Sequence, residues 1–586
     1  MLAQLAEPPA PLSRAQTRLF LIAAIAIALT RFVTRARSLW DWDEALFCQA
    51  LGDYDVTAHH PHPPGFPLYI ALARIAQSVI GDEFRSLQAV VLLASMLLFP
   101  AVFLLARELR LPFASAMSAA AISAFFPVIW IFGGSAFSDI LSLTLTIAAV
   151  AYLLRGCRSD SALFAGALLI GCAVAVRPQS ALYALAPAAV LLFAVPRRRL
   201  IRCAAAGVLA IVIAATAYAA AAVASGEWTR YRAAVSGHRE WMLANNSYRA
   251  AGRTPLPELA TAILVQPYRA RDLGNVLAVL ALTGVAFAAF RRDRLLGLAA
   301  AIFLPYMILT WLMLDVDGYA RFSTGYLPLF ALFIGDLLGR AWRRFLPSRA
   351  ESATWITGAV LAAALALYTL PAARVVRKTL SPPVAAAQWI RQHANPATTF
   401  VYVDGGLSPH ADFLLKDYQR EVVGKEPARH ASGALFYTTL PGPVESRAEF
   451  HRERGRLWHT VRAYYFDVFV RDVTNAPTFG AGWYDPDSNG RILWRWMGRE
   501  SVLQIHADGR AGTMRYRITI PHELVALPQQ VTITANGVVV DSFAATQTDI
   551  VRETAIPAAT TATTEVRITT TATISPARAG TGTDTR

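Results

Sequence analysis

The chain has 586 residues, of which 55% are hydrophobic and only 16% are charged, and its mean hydropathy is +0.38. Soluble domains carry about 25% charged residues, so this composition excludes an ordinary soluble enzyme and indicates an integral membrane protein. The net charge of +15 comes largely from short arginine clusters between apolar runs, which is typical of cytoplasmic loops and not of a nucleic-acid groove.

Eleven apolar runs approach the length of about 20 residues that a membrane-spanning helix needs. The first has no small-residue cleavage site after it, so we expect an uncleaved span and not a signal peptide. The predicted spans are 17–36, 86–106, 112–132, 139–155, 161–177, 179–195, 203–225, 273–290, 295–314, 323–339 and 353–371.

A shorter apolar run, 66–80, begins with prolines and carries Arg74 near its middle. If it does not cross the membrane, five arginine-rich loops fall on the same side as the N-terminus, as the positive-inside rule requires. We therefore predict that 66–80 lies at, or dips into, the outer interface. Arg31, Arg35 and Arg37 break the rule at the outer end of the first span, where they snorkel or face an anionic headgroup.

Hydropathy falls after about residue 372, where we predict a soluble, periplasmic region. Its first part alternates a helical stretch, 384–393, with an apolar strand, 399–403, and its second part reads as strands with a hairpin signal at Asn536-Gly537. The fold class is thus an α-helical polytopic membrane protein of about 11 spans with a C-terminal soluble region, α/β and then β-sandwich. The predicted domains are 1–371 (transmembrane), 372–475 (α/β), 476–556 (β-sandwich) and 557–586 (an Ala/Thr-rich, disordered tail).

The polar segment 40–69 lies between long apolar runs, and we expect the chemistry there. Acids at the hydrocarbon boundary are costly to desolvate, so they usually face a water-filled cavity or a charged ligand. Asp43 is the candidate general base, with Glu44 beside it; both would alternatively serve as favourable charges at the start of a helix over 45–51. Asp139, in the second outward loop, is either a helix cap or a partner that orients the acceptor or shares a cation.

Basic residues in the outward loops are candidates for binding a phosphate. Arg177, before Pro178, is expensive at the end of a span unless it has a partner such as a lipid phosphate, although snorkelling is the alternative. The same reasoning applies to Arg321, with Tyr319 beside it in the next outer turn. His62 and His60 are further candidates for phosphate contact.

No metal site is predicted. The three histidines at 59, 60 and 62 lack the i, i+4 spacing of ligands on one helix, and the prolines beside them prevent helical alignment. The four cysteines have neither disulfide nor zinc spacing. We expect no required cofactor, and no residue pattern indicates a divalent cation.

These motifs together resemble the type C membrane glycosyltransferases, in the branch of the protein O-mannosyltransferases and the bacterial aminoarabinose transferases of lipid A. The resemblance covers about the first 370 residues. It implies a polyprenyl-phosphate sugar donor, inverting transfer on the periplasmic face, Asp43 as the base and basic residues holding the lipid phosphate. It rests on Asp43-Glu44, His62-Pro63-Pro64, Ser138-Asp139, Arg177-Pro178 and the segment from Ala320-Arg321-Phe322 to Pro328.

We therefore expect a glycosyltransferase of the inner (plasma) membrane that moves a sugar from a polyprenyl phosphate to a lipid, glycan or protein acceptor. One alternative is a transporter or flippase of lipid-linked saccharides, although the paired broken spans of two related halves are not visible in the sequence. The other is a non-catalytic envelope protein that binds polysaccharide, for which eleven spans are excessive. Neither the sugar nor the acceptor follows from the sequence.

Overall fold

The structure is a computed structural model, and it divides the chain into two compact units. The first contains Met1–Ser381 and Glu453–Tyr465, and the second contains Pro382–Arg452 and Phe466–Arg586. The residues described are 1–314, 320–424, 427, 434–441, 446–455, 467–473, 477–488, 493–506, 509, 511–521 and 525–573.

The first unit is helical, and helices occupy all eleven segments predicted to span the membrane. Seven of its described helical regions are long and apolar enough to cross a bilayer, namely α2, α5, α8, α11, α14, α15 and the region of α17. The helices are α1 (Leu2–Ala6), α2 (Arg14–Val33), α3 (Trp42–Gly52), α4 (Pro67–Ile80), α5 (Glu83–Glu108), α6 (Phe113–Phe125), α7 (Pro127–Phe132), α8 (Ser138–Arg155), α9 (Asp160–Val176), α10 (Leu185–Ala194), α11 (Leu200–Ala224), α12 (Trp228–Asn245), α13 (Leu256–Leu264), α14 (Arg271–Phe290), α15 (Arg294–Met313), α16 (Leu327–Phe345) and α17 (Ala350–Lys378). Short 3₁₀ helices lie at Val56–Ala58, Pro178–Ala184, Arg197–Arg199, Ala320–Ser323 and Pro347–Arg349.

Helix α6 lies at the centre of this unit, and nearly all of its residues are buried. It packs against α5, α16 and α17. Small residues make the close approach possible, because a Cβ added to Gly335 would lie 2.5 Å from the carbonyl oxygen of Ser115, and one added to Gly358 would collide with Ser118. Helix packing in membranes depends on such small residues, since lipid offers no hydrophobic drive for association.

Hydrogen bonds gather the loops of this unit at two opposite ends of the helices. At one end, Arg110 donates to carbonyl oxygens of the N-terminal segment and Arg158 donates to that of Leu5. At the other end, the N–H of Ala36 donates to Gly134 O and the hydroxyl of Tyr231 donates to Pro64 O. The loops thus segregate as the predicted alternation of spans requires, while the number of spans that cross and the periplasmic side stay predictions.

The second unit begins with a mixed five-stranded sheet of order β2-β1-β3-β5-β4. Strands β1, β2 and β3 are parallel, and the core beneath them includes residues of α18 and α19. The elements are α18 (Pro382–His393), β1 (Phe400–Asp404), a 3₁₀ helix (Gly405–Leu407), α19 (Ser408–Leu414), β2 (Gln419–Val423), β3 (Leu435–Thr438), β4 (Ala448–Phe450) and β5 (Val468–Asp472). This arrangement agrees with the α/β character predicted for this part of the chain.

The remaining strands form a five-stranded sheet of order β12-β11-β14-β9-β6 and two-stranded sheets β10-β13 and β7-β8. One core takes residues from the five-stranded sheet and from β10-β13, as a sandwich does. Asn536 and Gly537, both at positive φ, form the predicted hairpin turn. The strands are β6 (Thr478–Phe479), β7 (Trp483–Ser488), β8 (Leu493–Met497), β9 (Glu500–His506), β10 (Gly512–Thr519), β11 (Gln529–Ala535), β12 (Val538–Ala545), β13 (Asp549–Ile556) and β14 (Thr563–Thr570).

The prediction of a disordered tail from residue 557 is wrong for β14. This strand lies inside the five-stranded sheet, paired with β11 on one side and β9 on the other. Its residues alternate between more and less buried positions, with Val566 and Ile568 in the core. Threonine and β-branched neighbours favour strands, and this alternation outweighs the low-complexity composition. Residues 574–586 of the predicted tail lie outside the described residues.

Candidate active site

Helix α3 places the adjacent acids Asp43 and Glu44 in different surroundings. Asp41 is its N-cap and accepts from the N–H of Asp43 at 2.9 Å, while Glu44 completes the capping box. Glu44 is fully buried. Its carboxylate accepts the N–H groups of Trp40 at 2.6 Å, Asp41 at 3.1 Å and Ala136 at 2.7 Å. Glu44 therefore connects the start of α3 to the loop between α7 and α8.

Asp43 faces the other way and forms an ion pair with Arg321. Its second oxygen lies 3.6 Å from Nδ1 of His62. The Arg321 guanidinium also lies over the ring of Phe137, 4.9 Å from its centroid. Asp43 and Arg321 are 13% and 12% exposed, so the pair is largely shielded from water while one edge of it stays accessible.

A second acid and a second arginine form a parallel pair. Nη1 of Arg177 lies 2.5 Å from Oδ2 of Asp139 and donates to Oγ of Ser138 at 3.3 Å. Arg177 ends α9, and Asp139 lies in the first turn of α8. The Arg177 guanidinium lies over Phe66, 5.7 Å from the ring centroid, and Phe66 in turn packs edge-on against His62 at 4.8 Å. The two pairs thus share one site.

The charge states follow from burial and neighbours. Burial alone raises the pKa of Asp43, but Arg321, His62 and Arg177 outweigh it and lower this pKa to about 2. Burial lowers the pKa of His62 to about 4, although Asp43 acts in the opposite direction. Burial raises the pKa of Glu44 to about 7 against the effect of its backbone N–H partners. At neutral pH, Asp43 is ionised and His62 is neutral.

A pocket that is partly open to solvent, with about 300 Å³ of empty space including that open part, continues from the Asp139 and Arg177 pair. Most of its lining residues are of polar types, and the Thr146 hydroxyl, which is buried, has no hydrogen-bond partner among the described residues. The lining residues are Asp139, Ser142, Leu143, Thr146, Arg177, Gln179, Ser180, Tyr183, Tyr306, Thr324 and Gly325. Hydroxyl-rich walls of this kind suit a ligand with many hydroxyl groups.

The structure brings some of the predicted site residues together and leaves others apart. It brings together Asp43, Asp139, His62, Arg177 and Arg321, while Glu44 is beside them but bound to backbone. His60 turns away, with Nδ1 3.3 Å from Asp53 Oδ2, and Tyr319 lies outside the described residues.

Sequence analysis missed His238, which lies on α12. Its ring centroid is 5.8 Å from that of His62 and 6.2 Å from that of Trp241. No motif in the sequence points to it, because its contact with His62 joins distant parts of the chain. Among the described residues, no group of three His, Cys, Asp or Glu side chains is placed to hold a metal ion.

The model of the dolichyl-phosphate-mannose-protein mannosyltransferase family matches residues 59–223, which contain His62, Asp139 and Arg177. No curated protein matches the sequence. A crystal structure of ArnT from Cupriavidus metallidurans in the apo state is similar over 70% of this chain and 86% of that one, at 14% identity and a TM-score of 0.50. The resemblance to the type C membrane glycosyltransferases is confirmed.

A second crystal structure, of ArnT from Cupriavidus metallidurans bound to undecaprenyl phosphate, is similar over 78% of this chain and 98% of that one, at 12% identity and a TM-score of 0.50. At such identities the likeness establishes the type C fold. The family match adds a likeness to membrane mannosyltransferases over residues 59–223. Asp43 and Arg321 lie outside the matched residues 59–223, so their roles are argued from the geometry alone.

Proposed function

We propose that this type C protein transfers a sugar from a polyprenyl phosphate to an acceptor on the periplasmic face of the inner membrane, with inversion at the sugar carbon. The observation that carries the proposal is the pairing of each candidate carboxylate with an arginine at one end of the helices. A catalytic base and cations for a departing phosphate are the two things this transfer needs.

The two arginines hold the donor phosphate. Guanidinium groups bind phosphate oxygens bidentately, and they are worth most where charge develops in a site shielded from water. Arg321 and Arg177 are both largely buried, and both act electrostatically on Asp43. The bound undecaprenyl phosphate in the ArnT structure of similar fold supports this donor class.

Asp43 is the general base, and donor binding activates it. A carboxyl group with a pKa of about 2 is a weak base at neutral pH, and Arg321 is the largest favourable cause of that low value. A phosphate that binds Arg321 weakens its hold on Asp43. The pKa of Asp43 then rises toward the value that burial favours, and the carboxylate becomes a better proton acceptor.

The reaction is a single displacement. The acceptor O–H gives its proton to Asp43 while its oxygen forms a bond to the anomeric carbon. The bond from that carbon to the phosphate oxygen breaks on the opposite face, and its electron pair leaves on the polyprenyl phosphate, where Arg321 and Arg177 stabilise the charge. The step balances without a cofactor.

The sugar occupies the polar cavity beside Arg177, and Glu44 positions the site. Sugar hydroxyls would satisfy the Thr146 hydroxyl and replace water lost on binding. Glu44, with its carboxylate bound to three backbone N–H groups, keeps α3 and the second outer loop in register and takes no proton from the acceptor. The acceptor is a lipid, a glycan or a protein.

The test compares Asp43→Asn with Asp53→Asn at equal expression, in membranes supplied with undecaprenyl-phosphate-linked hexose and pentose. Asp53 serves as the control because it lies in the same polar segment as Asp43 and its side chain is 78% exposed. We expect Asp43→Asn to lose transfer by at least about a hundredfold and Asp53→Asn to keep it. Equal transfer by the two variants would remove Asp43 from its role, and uptake of lipid-linked sugar without a glycosidic product would favour a transporter.

A further inference from the structure

Four arginines crowd together at the same end of the membrane unit as the candidate active site, around the turn that follows α2. Arg35 and Arg37 lie in this turn, Arg85 is in the first turn of α5, and Arg377 is in the last turn of α17. Arg37 is exposed, and the other three are half-buried. The mechanism proposed above uses none of them.

Hydrogen bonds fix the cluster in place. The Arg37 N–H donates to Val376 O at 2.9 Å, which joins the turn to α17. The Arg85 guanidinium donates to Ala36 O at 2.9 Å and to Arg37 O at 2.8 Å, which joins the turn to α5. These bonds fix the backbone of the turn against α5 and α17, so the residues that carry the four charges stay near one another.

No described carboxylate forms an ion pair with any of the four. Arg85 is within electrostatic range of Arg35, Arg37 and Arg377. Burial, and then the charge of Arg377, lower the pKa of Arg35. Asp82 acts electrostatically on Arg85, but its side chain is the N-cap of α5 and accepts the backbone N–H of Arg85 at 2.7 Å. One carboxylate does not balance four guanidinium groups.

The position in the sequence adds a second argument. These arginines lie at the end of the helices that the positive-inside rule assigns to the outer face, where basic residues are disfavoured. Anionic headgroups at the interface attract such clusters, and guanidinium groups bind phosphate oxygens bidentately. We propose that Arg35, Arg37, Arg85 and Arg377 form a second phosphate-binding site, which holds the headgroup phosphate of an anionic lipid at the outer interface.

This site is separate from the donor site but shares a loop with it. Gln88 donates to Ala36 O at 2.9 Å and to Gly134 O at 2.8 Å. Gly134 belongs to the second outer loop, which also carries Asp139. A lipid held by the cluster would stabilise the turn and, through Gln88, this loop. The proposal does not depend on sugar transfer, because it concerns lipid binding to the protein itself.

The experiment measures phosphatidylglycerol retained by the full-length protein. The protein is placed in nanodiscs of mixed phosphatidylglycerol and phosphatidylcholine, released by mild detergent and weighed by native mass spectrometry. The test variant is Arg35→Gln/Arg377→Gln, because Arg35 makes a single hydrogen bond, to Phe32 O, and Arg377 makes none among the described residues. The matched control is Arg343→Gln/Arg344→Gln. It removes two exposed charges from the last turn of α16, at the end of the helices opposite to the cluster.

Loss of two of the four arginines is expected to weaken retention of phosphatidylglycerol by at least about tenfold, with the control unchanged. A second arm adds millimolar inorganic phosphate to the lipid-bound protein in neutral detergent and measures whether phosphatidylglycerol is displaced. Unchanged retention identifies the lipid headgroup as the source of the bound phosphate. Displacement from the wild type that the test variant does not show identifies free phosphate as the source. Retention by the test variant equal to that of the wild type overturns the proposal, provided that both elute as the same folded species.

Discussion

Replacing Asp43 with asparagine is expected to strengthen the binding of undecaprenyl phosphate while it abolishes sugar transfer. The reason is competition, since Asp43 occupies the guanidinium of Arg321 that the donor phosphate must reach. An asparagine side chain leaves that guanidinium with one fewer negative neighbour and cannot accept the proton of the acceptor. Binding and catalysis therefore change in opposite directions.

The pKa of Asp43 gives the size of the effect. Its fall from 3.8 to about 2 corresponds to about 2 kcal/mol, at 1.36 kcal/mol for each step of one in pKa. This is the net preference of the site for the charged carboxylate after the cost of burial. If the phosphate recovers about half of it when the carboxylate is removed, binding tightens by about fivefold.

The assay is a titration of purified protein in neutral detergent with undecaprenyl phosphate, followed by fluorescence at several salt concentrations. The controls are Asp53→Asn, which removes an exposed charge from the same loop, and Arg321→Gln, which should weaken binding. An affinity of Asp43→Asn equal to or weaker than that of the wild type would refute the competition, and with it the argument that donor binding activates the base.

Three further outcomes follow from the contacts of single residues. Arg177→Lys keeps the charge but loses the guanidinium, whose Nη1 contacts Asp139 and Ser138 and whose fork would bind phosphate, so transfer should fall about a hundredfold while Tm is retained. Glu44→Gln replaces a carboxylate that accepts three backbone N–H groups, so it should cost about 2 kcal/mol of stability, seen as a lower Tm. Thr146→Val should raise KM for the sugar donor with little change in kcat, since the hydroxyl lines the cavity away from Asp43.

The helices could be predicted because they depend on local composition. Runs of apolar residues identified the helices of all eleven predicted spans, but not α12 and α13, which are amphipathic or polar; that 66–80 does not cross the membrane stays a prediction. The wrong prediction for β14 also came from local composition. Its Ala/Thr-rich composition suggested disorder, whereas the pairing that orders it comes from β11 and β9, distant in sequence.

The pairings within the site could not be predicted, because they depend on how the helices pack. Asp43 and Glu44 are neighbours in sequence and equally acidic, yet adjacent positions on a helix face different directions. Glu44 therefore contacts the backbone of Ala136, and Asp43 contacts Arg321, which is distant in the sequence. The sequence could indicate that arginines near the outer face need anionic partners, but it could not show that those partners are the candidate catalytic acids.

The dependence of transfer on pH should reveal whether Arg321 controls Asp43. With its pKa lowered to about 2, Asp43 stays ionised throughout pH 5 to 8 in the wild type, and neutral His62, with a pKa of about 4, adds no change in that range. Arg321 is the strongest of the groups that lower the pKa of Asp43 against the effect of burial. In Arg321→Gln that pKa therefore rises, and residual transfer should fall as the pH drops from 7 to 5. Arg321 also lowers the pKa of Glu44, so the rates of Arg321→Gln and of the wild type are compared as a ratio with Glu44→Gln present in both proteins, where this group no longer titrates. A ratio that stays constant across this range would mean that Asp43 does not carry the proton of the acceptor, whatever the affinity for the lipid phosphate.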